Sequence, residues 1–184
     1  MIPGKKLEFA VKVTHKTMTP KDKPRSDKEN NKAKRFTFNE IRILSRLRHT
    51  NVIRCYGAFE NNNVWVAVLE YAKGGHVFDR LKSAQYVSEQ VFAYYARQMV
   101  DAVCYLHKNK VIHRDLKPEN FLVKDKCGDL MKDKLLLSDF GLSKHTEDMK
   151  AKSECGTKAF MAPEMFTSKG HEFYTETVDV WSLG

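Results

Sequence analysis

The segment His113–Asn120, HRDLKPEN, constrains this chain more than any other. It places a carboxylate, an amine and a carboxamide within six positions, after a long helical stretch and before the short apolar run Phe121–Val123. At neutral pH an aspartate such as Asp115 can accept a proton from a hydroxyl, Lys117 can neutralise a transferring phosphoryl group, and Asn120 can offer an oxygen to a metal. Pro118 stiffens the loop between them. Twenty-four residues after Asp115 comes Asp139–Gly141 (DFG), a carboxylate at a strand end followed by a glycine. A hard cation such as Mg²⁺ takes oxygens of this kind.

The surrounding pattern predicts an α+β chain. Leu7–Thr14 (LEFAVKVT) reads as a buried strand carrying Lys12, which needs a partner. Phe38, Ile41, Leu44 and Leu47 recur every three residues and predict an amphipathic helix from Arg35 to Arg48. Strands follow near Ile53–Phe59 and Val64–Glu70, joined through Asn61–Asn63. After Gly74 and Gly75 the composition turns helical, first around Phe78–Leu81. A long core helix then starts at Ser88, a plausible N-cap, with Phe92, Tyr95, Met99, Val103 and Leu106 on its buried face. Short pieces complete the chain: the Phe121–Val123 run, a polar hairpin over Lys124–Lys134 and a strand at Leu135–Ser138.

Of 184 residues, 42% are hydrophobic and 30% charged, a globular balance. The longest apolar run, Val64–Leu69, falls far short of the roughly 18 residues a membrane helix needs. Cys55, Cys104, Cys127 and Cys155 form no CxxC pair, and no signal peptide is readable, so the expectation is a reduced, intracellular protein, cytoplasmic or nuclear. The formal charge is +9. Eight Lys/Arg against three acidic residues between His15 and Arg35 supply more than half of it. With Pro20, Pro24 and few apolar side chains, that stretch reads as a solvated, mobile connector, preferred over a nucleic-acid or lipid patch.

In order, the chain shows AVK with Lys12, a helix glutamate Glu40, HRDLKPEN, DFG, APE (Ala162–Glu164) and DVWSLG (Asp179–Gly184). On these six motifs it resembles the eukaryotic protein kinase domain. The resemblance implies a two-lobed fold, ATP and Mg²⁺ as cofactors, and phosphoryl transfer. By resemblance Lys12 binds the ATP phosphates and pairs with Glu40, whose competing role is a capping box with Thr37. Asp115 is the catalytic base, Lys117 the γ-phosphate contact, and Asn120 and Asp139 the Mg²⁺ ligands. Ala10 and Leu122 sandwich the adenine, Leu69 is the gatekeeper, and the linker Glu70, Tyr71, Ala72 offers backbone hydrogen bonds. His113 and Phe140 pack together, and Thr157 supports Asp115 and Lys117.

Lys117 within HRDLKPEN resembles the serine/threonine branch, and Cys155–Thr157 and Gly74–Leu81 resemble the calcium/calmodulin-dependent and calcium-dependent kinases most. That group has glutamate where this chain has His76, which implies a weaker preference for arginine three residues before the acceptor. In the activation segment, Asp139–Glu164, Ser153 and then Thr146 are candidate phosphorylation sites, with Arg114 to hold the phosphate. The resemblance also implies a partial domain. Residues 1–72 form an incomplete small lobe and hinge without the glycine-rich loop and first two strands. Residues 73–184 form an incomplete, mainly helical large lobe without its terminal helices. The arginine that pairs with Glu164 falls outside the sequence, so a buried carboxylate without its partner is expected, as is an exposed sheet edge. The expected function is ATP-dependent phosphorylation of Ser/Thr in protein substrates, the alternative an inactive, pseudokinase-like interaction fragment. Calcium or calmodulin regulation would act through segments outside this chain.

Overall fold

The computed structural model describes residues 7–16, 27–84, 86–125, 127–146, 156–167 and 175–184. Strand β1 (Phe9–His15), helix α1 (Asp27–Leu44), β2 (Cys55–Glu60) and β3 (Val64–Glu70) form the first part of the chain. The sheet order is β1-β3-β2, all antiparallel, with Ala10 opposite Leu69 and Lys12 opposite Ala67. In β3 strict alternation buries Trp65, Ala67 and Leu69 on one face, as VWVAVLE dictates. The Asn61–Asn63 turn is fixed by the Asn61 side chain, which accepts from the backbone N–H groups of Asn63 and Val64.

Two expectations for this part need correction. β1 is not buried: Phe9, Val11 and Val13 are exposed because they lie on the sheet face turned away from α1, while the Lys12 and Thr14 side faces that helix. Helix α1 does not begin at Arg35 but at Asp27, inside the stretch read as a connector, and ends at Leu44. Lys, Glu and Ala are good helix formers, so these residues extend the helix without presenting an apolar face for periodicity to detect. Thr37 therefore lies mid-helix, where its hydroxyl donates to Thr14 at 3.2 Å, and the capping box is not formed.

Beyond β3 come β4 (Gly75–His76), α2 (Val77–Lys82) and the long α3 (Glu89–Lys108), whose first turn is capped by Ser88 Oγ accepting from the Val91 N–H. Strand β5 (Val111–Ile112), the 3-10 turn Pro118–Asn120, β6 (Phe121–Val123), β7 (Leu135–Leu137) and β8 (Lys144–His145) follow, then α4 (Pro163–Thr167) and α5 (Thr177–Leu183). The polar hairpin is the β6–β7 connection. Asp133 at its base is fully buried, accepting from Arg80 Nε at 2.8 Å and from the Tyr95 hydroxyl. The loop after α1 is stitched to β7 by Ile53 N–H to Leu137 O at 2.9 Å and Leu137 N–H to Asn51 O at 2.8 Å. One core runs from Leu44 and Leu69 through Leu106, Val123 and Leu135 to Phe140.

On α3, Tyr95, Val103 and Leu106 are buried as expected, but Phe92 is 67% exposed. It lines an open apolar groove of about 1020 Å³ between α3 and α5, with Met99, Val100, Val180 and Trp181. Among the described residues no helix is long and apolar enough to cross a membrane, and Cys55, Cys104 and Cys127 are free thiols.

Candidate active site

The candidate residues fall into two clusters, linked through the Ser138 N–H, which donates to the Asn120 carbonyl at 2.8 Å next to Asp139. In the first, Lys12 Nζ reaches from β1 to Glu40 Oε2 at 2.7 Å and lies 3.8 Å from Asp139 Oδ1. Glu40 is 3% exposed, so its charge requires such a cation. Asp139 is half exposed and takes a left-handed backbone, φ 62°, before the 3-10 turn Phe140–Leu142. The lysine demanded a partner in the sequence, and the fold supplies a buried one from 28 residues away.

The second cluster centres on Asp115, 9% exposed. Its Oδ1 accepts from both the N–H and the hydroxyl of Thr157, each at 2.8 Å. Its Oδ2 accepts from Asn120 Nδ2 and lies beside Lys117 Nζ, both at 3.1 Å. Lys117 also donates to Thr157 Oγ1 at 2.7 Å. Asn120 is anchored again by Nδ2 donating to the Asp115 carbonyl at 2.7 Å, which leaves its amide oxygen as the free end. Thus Asp115, Lys117 and Asn120, neighbours in the sequence, come together with Thr157 from 42 residues away. Gly156 makes the approach feasible: its φ is 113°, and a Cβ there would lie 2.7 Å from the Arg114 carbonyl.

His113 is fully buried, its ring edge-on to Phe140 at 5.0 Å between centroids and its Nε2 3.0 Å from the Ser138 carbonyl. Burial, above all, pushes its pKa below the ordinary histidine range, so it packs as a neutral ring. The apolar positions Ala10, Ala72 and Leu122 lie half-buried against the core, and Leu69 is buried in it. Glu70 turns its side chain to Lys124 at 2.7 Å and gives its N–H to the Arg54 carbonyl. Glu164 is half-buried beside the groove and is not without a partner, which corrects the expected orphan carboxylate. Thr146 is half-buried, Arg114 donates from Nε to the Leu142 carbonyl at 2.7 Å, and Ser153 lies outside the described residues.

Three contributors escaped the sequence reading. Asp179, in α5, is fully buried and accepts from the backbone N–H groups of His113 and Arg114, both at 2.8 Å, while His107 Nε2 sits 2.9 Å away. Asp179 stood in a motif of the sequence but without a role; only the fold reveals that it holds the start of the His113–Asn120 octapeptide through two backbone N–H groups. His107 and Asn39 carried no local signal at all.

A family model of the protein kinase domain matches residues 4–184. The chain is 39% identical over 175 residues to an Aurora kinase of Schizosaccharomyces pombe, covering 95% of this chain and 44% of that protein. It is 38% identical over 146 residues to calcium/calmodulin-dependent protein kinase type 1 of Caenorhabditis briggsae, covering 79% and 39%. It is 35% identical over 178 residues to the ovarian-specific serine/threonine-protein kinase Lok of Drosophila melanogaster, covering 96% and 36%. The chain thus spans less than half the length of these curated relatives. With the six motifs in order and the match running from residue 4 to residue 184, the chain belongs to the protein kinase family, on its serine/threonine branch.

Proposed function

We propose that this chain is the core of an ATP-dependent enzyme that transfers the γ-phosphoryl group to serine or threonine hydroxyls of protein substrates. The observation that carries the reading is the set of bonds around Asp115. With Oδ1 held by Thr157, and Oδ2 between Lys117 and Asn120, the carboxylate is fixed in orientation before any substrate arrives. Asp115 accepts the proton of the attacking hydroxyl, and Lys117 offsets charge on the phosphoryl oxygens. Lys12, held by Glu40, binds the ATP phosphates, while Ala10, Leu69, Ala72 and Leu122 enclose the adenine. Because the Glu70 N–H is committed to Arg54, an adenine contact from Glu70 comes from its carbonyl.

The donors present fit a magnesium ion: Asp139 offers a half-exposed carboxylate and Asn120 a free amide oxygen, both hard ligands. Bound there, Mg²⁺ would neutralise phosphate charge. No group of three or more His, Cys, Asp or Glu residues suited to a metal occurs among the described residues.

The same reading assigns residues 1–72 to a nucleotide-covering part and 73–184 to a substrate-binding part, and places the protein inside the cell. His76, whose Nδ1 lies 2.7 Å from the Glu119 carbonyl, presents no carboxylate to an arginine of the substrate, so basic selectivity there is weak. Any calcium or calmodulin control would act through segments outside these 184 residues.

The test uses the full-length protein with Mg-ATP and Ser/Thr peptides. Asp115→Asn should lower kcat about 10²–10⁴-fold, the usual worth of a general base, and leave nucleotide binding intact. Full activity in that variant would overturn the role of Asp115. Nucleotide binding without turnover in the wild type would favour a non-catalytic interaction domain.

A further inference from the structure

Asn39 precedes Glu40 on α1, and its side chain crosses to the segment that follows Asp139. The carboxamide nitrogen donates to the carbonyl of Ser143 at 2.5 Å and faces those of Gly141 at 3.4 Å and Phe140 at 3.5 Å. Two amide hydrogens therefore meet three carbonyl oxygens of one tight turn. That turn is held from the other side as well. The Leu142 carbonyl accepts from the Arg114 guanidinium, Ser143 Oγ donates to the His113 carbonyl at 3.3 Å, and the Ser143 N–H closes the turn on Phe140 O at 3.1 Å.

We infer that Asn39 is a positioning residue that fastens the helix carrying Glu40 to the turn carrying Asp139, so that both partners of Lys12 are set by one contact. The reasoning is geometric. Lys12 Nζ spans Glu40 at 2.7 Å and Asp139 at 3.8 Å, so its position is defined only when the helix and the turn keep a fixed separation. The φ of 62° at Asp139 costs free energy in a non-glycine residue and persists only where the neighbouring backbone is over-determined. Asn39 supplies that restraint from the helix side, next in sequence to the group whose placement it shares. The groups it sets are the two carboxylates beside Lys12, so its effect falls on nucleotide handling. The inference rests on the phosphoryl-transfer reading for its kinetic consequence but not for its structural one.

The test is made in the full-length protein with two variants. Asn39→Leu keeps the volume and removes the donors; Asn39→His restores a ring N–H near the same place. Asn39→Leu should raise KM for Mg-ATP about tenfold and lower kcat, with KM for the peptide unchanged, and Asn39→His should recover part of the loss. In the protein without nucleotide, hydrogen exchange should quicken over both α1 and residues 139–146 in the leucine variant. Unchanged exchange in both segments, or peptide and nucleotide KM shifted alike, would overturn the proposal. A lower melting temperature with wild-type KM for Mg-ATP would do so too, since that is the mark of a merely structural role. Coupled exchange in a wild-type protein that transfers no phosphate would support the fastening role and overturn the phosphoryl-transfer reading alone.

Discussion

A methyl group at Gly156 would sit 2.7 Å from the Arg114 carbonyl, on a backbone at φ 113° that L-residues rarely adopt. Relief requires moving either the catalytic octapeptide or Thr157, and both end on Asp115. Gly156→Ala should therefore cost about 10²-fold in kcat of the full-length protein, the scale of a misplacement near 1 Å, with nucleotide affinity little changed. Gly128→Ala is the control, because a Cβ there meets nothing within 4 Å. Equal kcat in the two variants would show that Thr157 does not set the orientation of Asp115. At this scale the sequence was most legible where a role is chemical and local, as for Asp115, Lys117 and Asn120 within six positions. It was least legible where one side chain reaches across the fold, as His107 does to Asp179 and Asn39 to Ser143.

Among the elements, α2, α3 and the β6–β7 hairpin are clamped through one buried carboxylate. Burial works against the charge of Asp133, yet hydrogen bonds from Arg80, Cys127 and Tyr95 outweigh it and hold the carboxyl below the usual range. Its partners respond in kind: burial, then the bond to Asp133, pushes the Tyr95 hydroxyl up, and a separate hydrogen bond from Arg80 to Asp133 raises Arg80. Asp133→Ala leaves Arg80 and the buried Tyr95 hydroxyl without that acceptor and should cost about 3–5 kcal/mol of stability. A carboxyl depressed in the folded state stabilises above its unfolded value, about 3.9, and that contribution is lost as pH falls through the lower folded value. The difference in melting temperature between wild type and variant should be full at pH 7 and shrink below about pH 4. A difference that stays constant to lower pH would show that lost packing, not charge, accounts for the effect. The sequence displayed these elements well where apolar periodicity was strong, as in β3 and from Ser88 onward. It misplaced the start of α1 because Asp27–Arg35 has helical propensity without an apolar face, and it misread β1 because burial of a strand's side chains depends on what packs on each face of the sheet.

At the scale of the whole molecule, the groove between α3 and α5 stays apolar and open. Phe92 and Val100 on α3 and Val180 and Trp181 on α5 are each about half exposed or more, and they line one groove. Its floor includes Leu116, Lys117 and Pro118, so the back of the catalytic octapeptide forms part of this wall. Contiguous apolar surface of this kind drives association in water, whereas the same residues scattered singly would not. The 184-residue chain expressed alone should bind a hydrophobic dye such as ANS and sediment with a concentration-dependent mass. Phe92→Glu with Trp181→Glu should reduce both signals several-fold without lowering the melting temperature, because each side chain is already more than half in water. The charged pair leaves the buried side of α3, at Tyr95, Val103 and Leu106, untouched. A wild-type chain that sediments as a monomer at all concentrations, with no more dye bound than the double variant, would show that this groove does not drive association in solution.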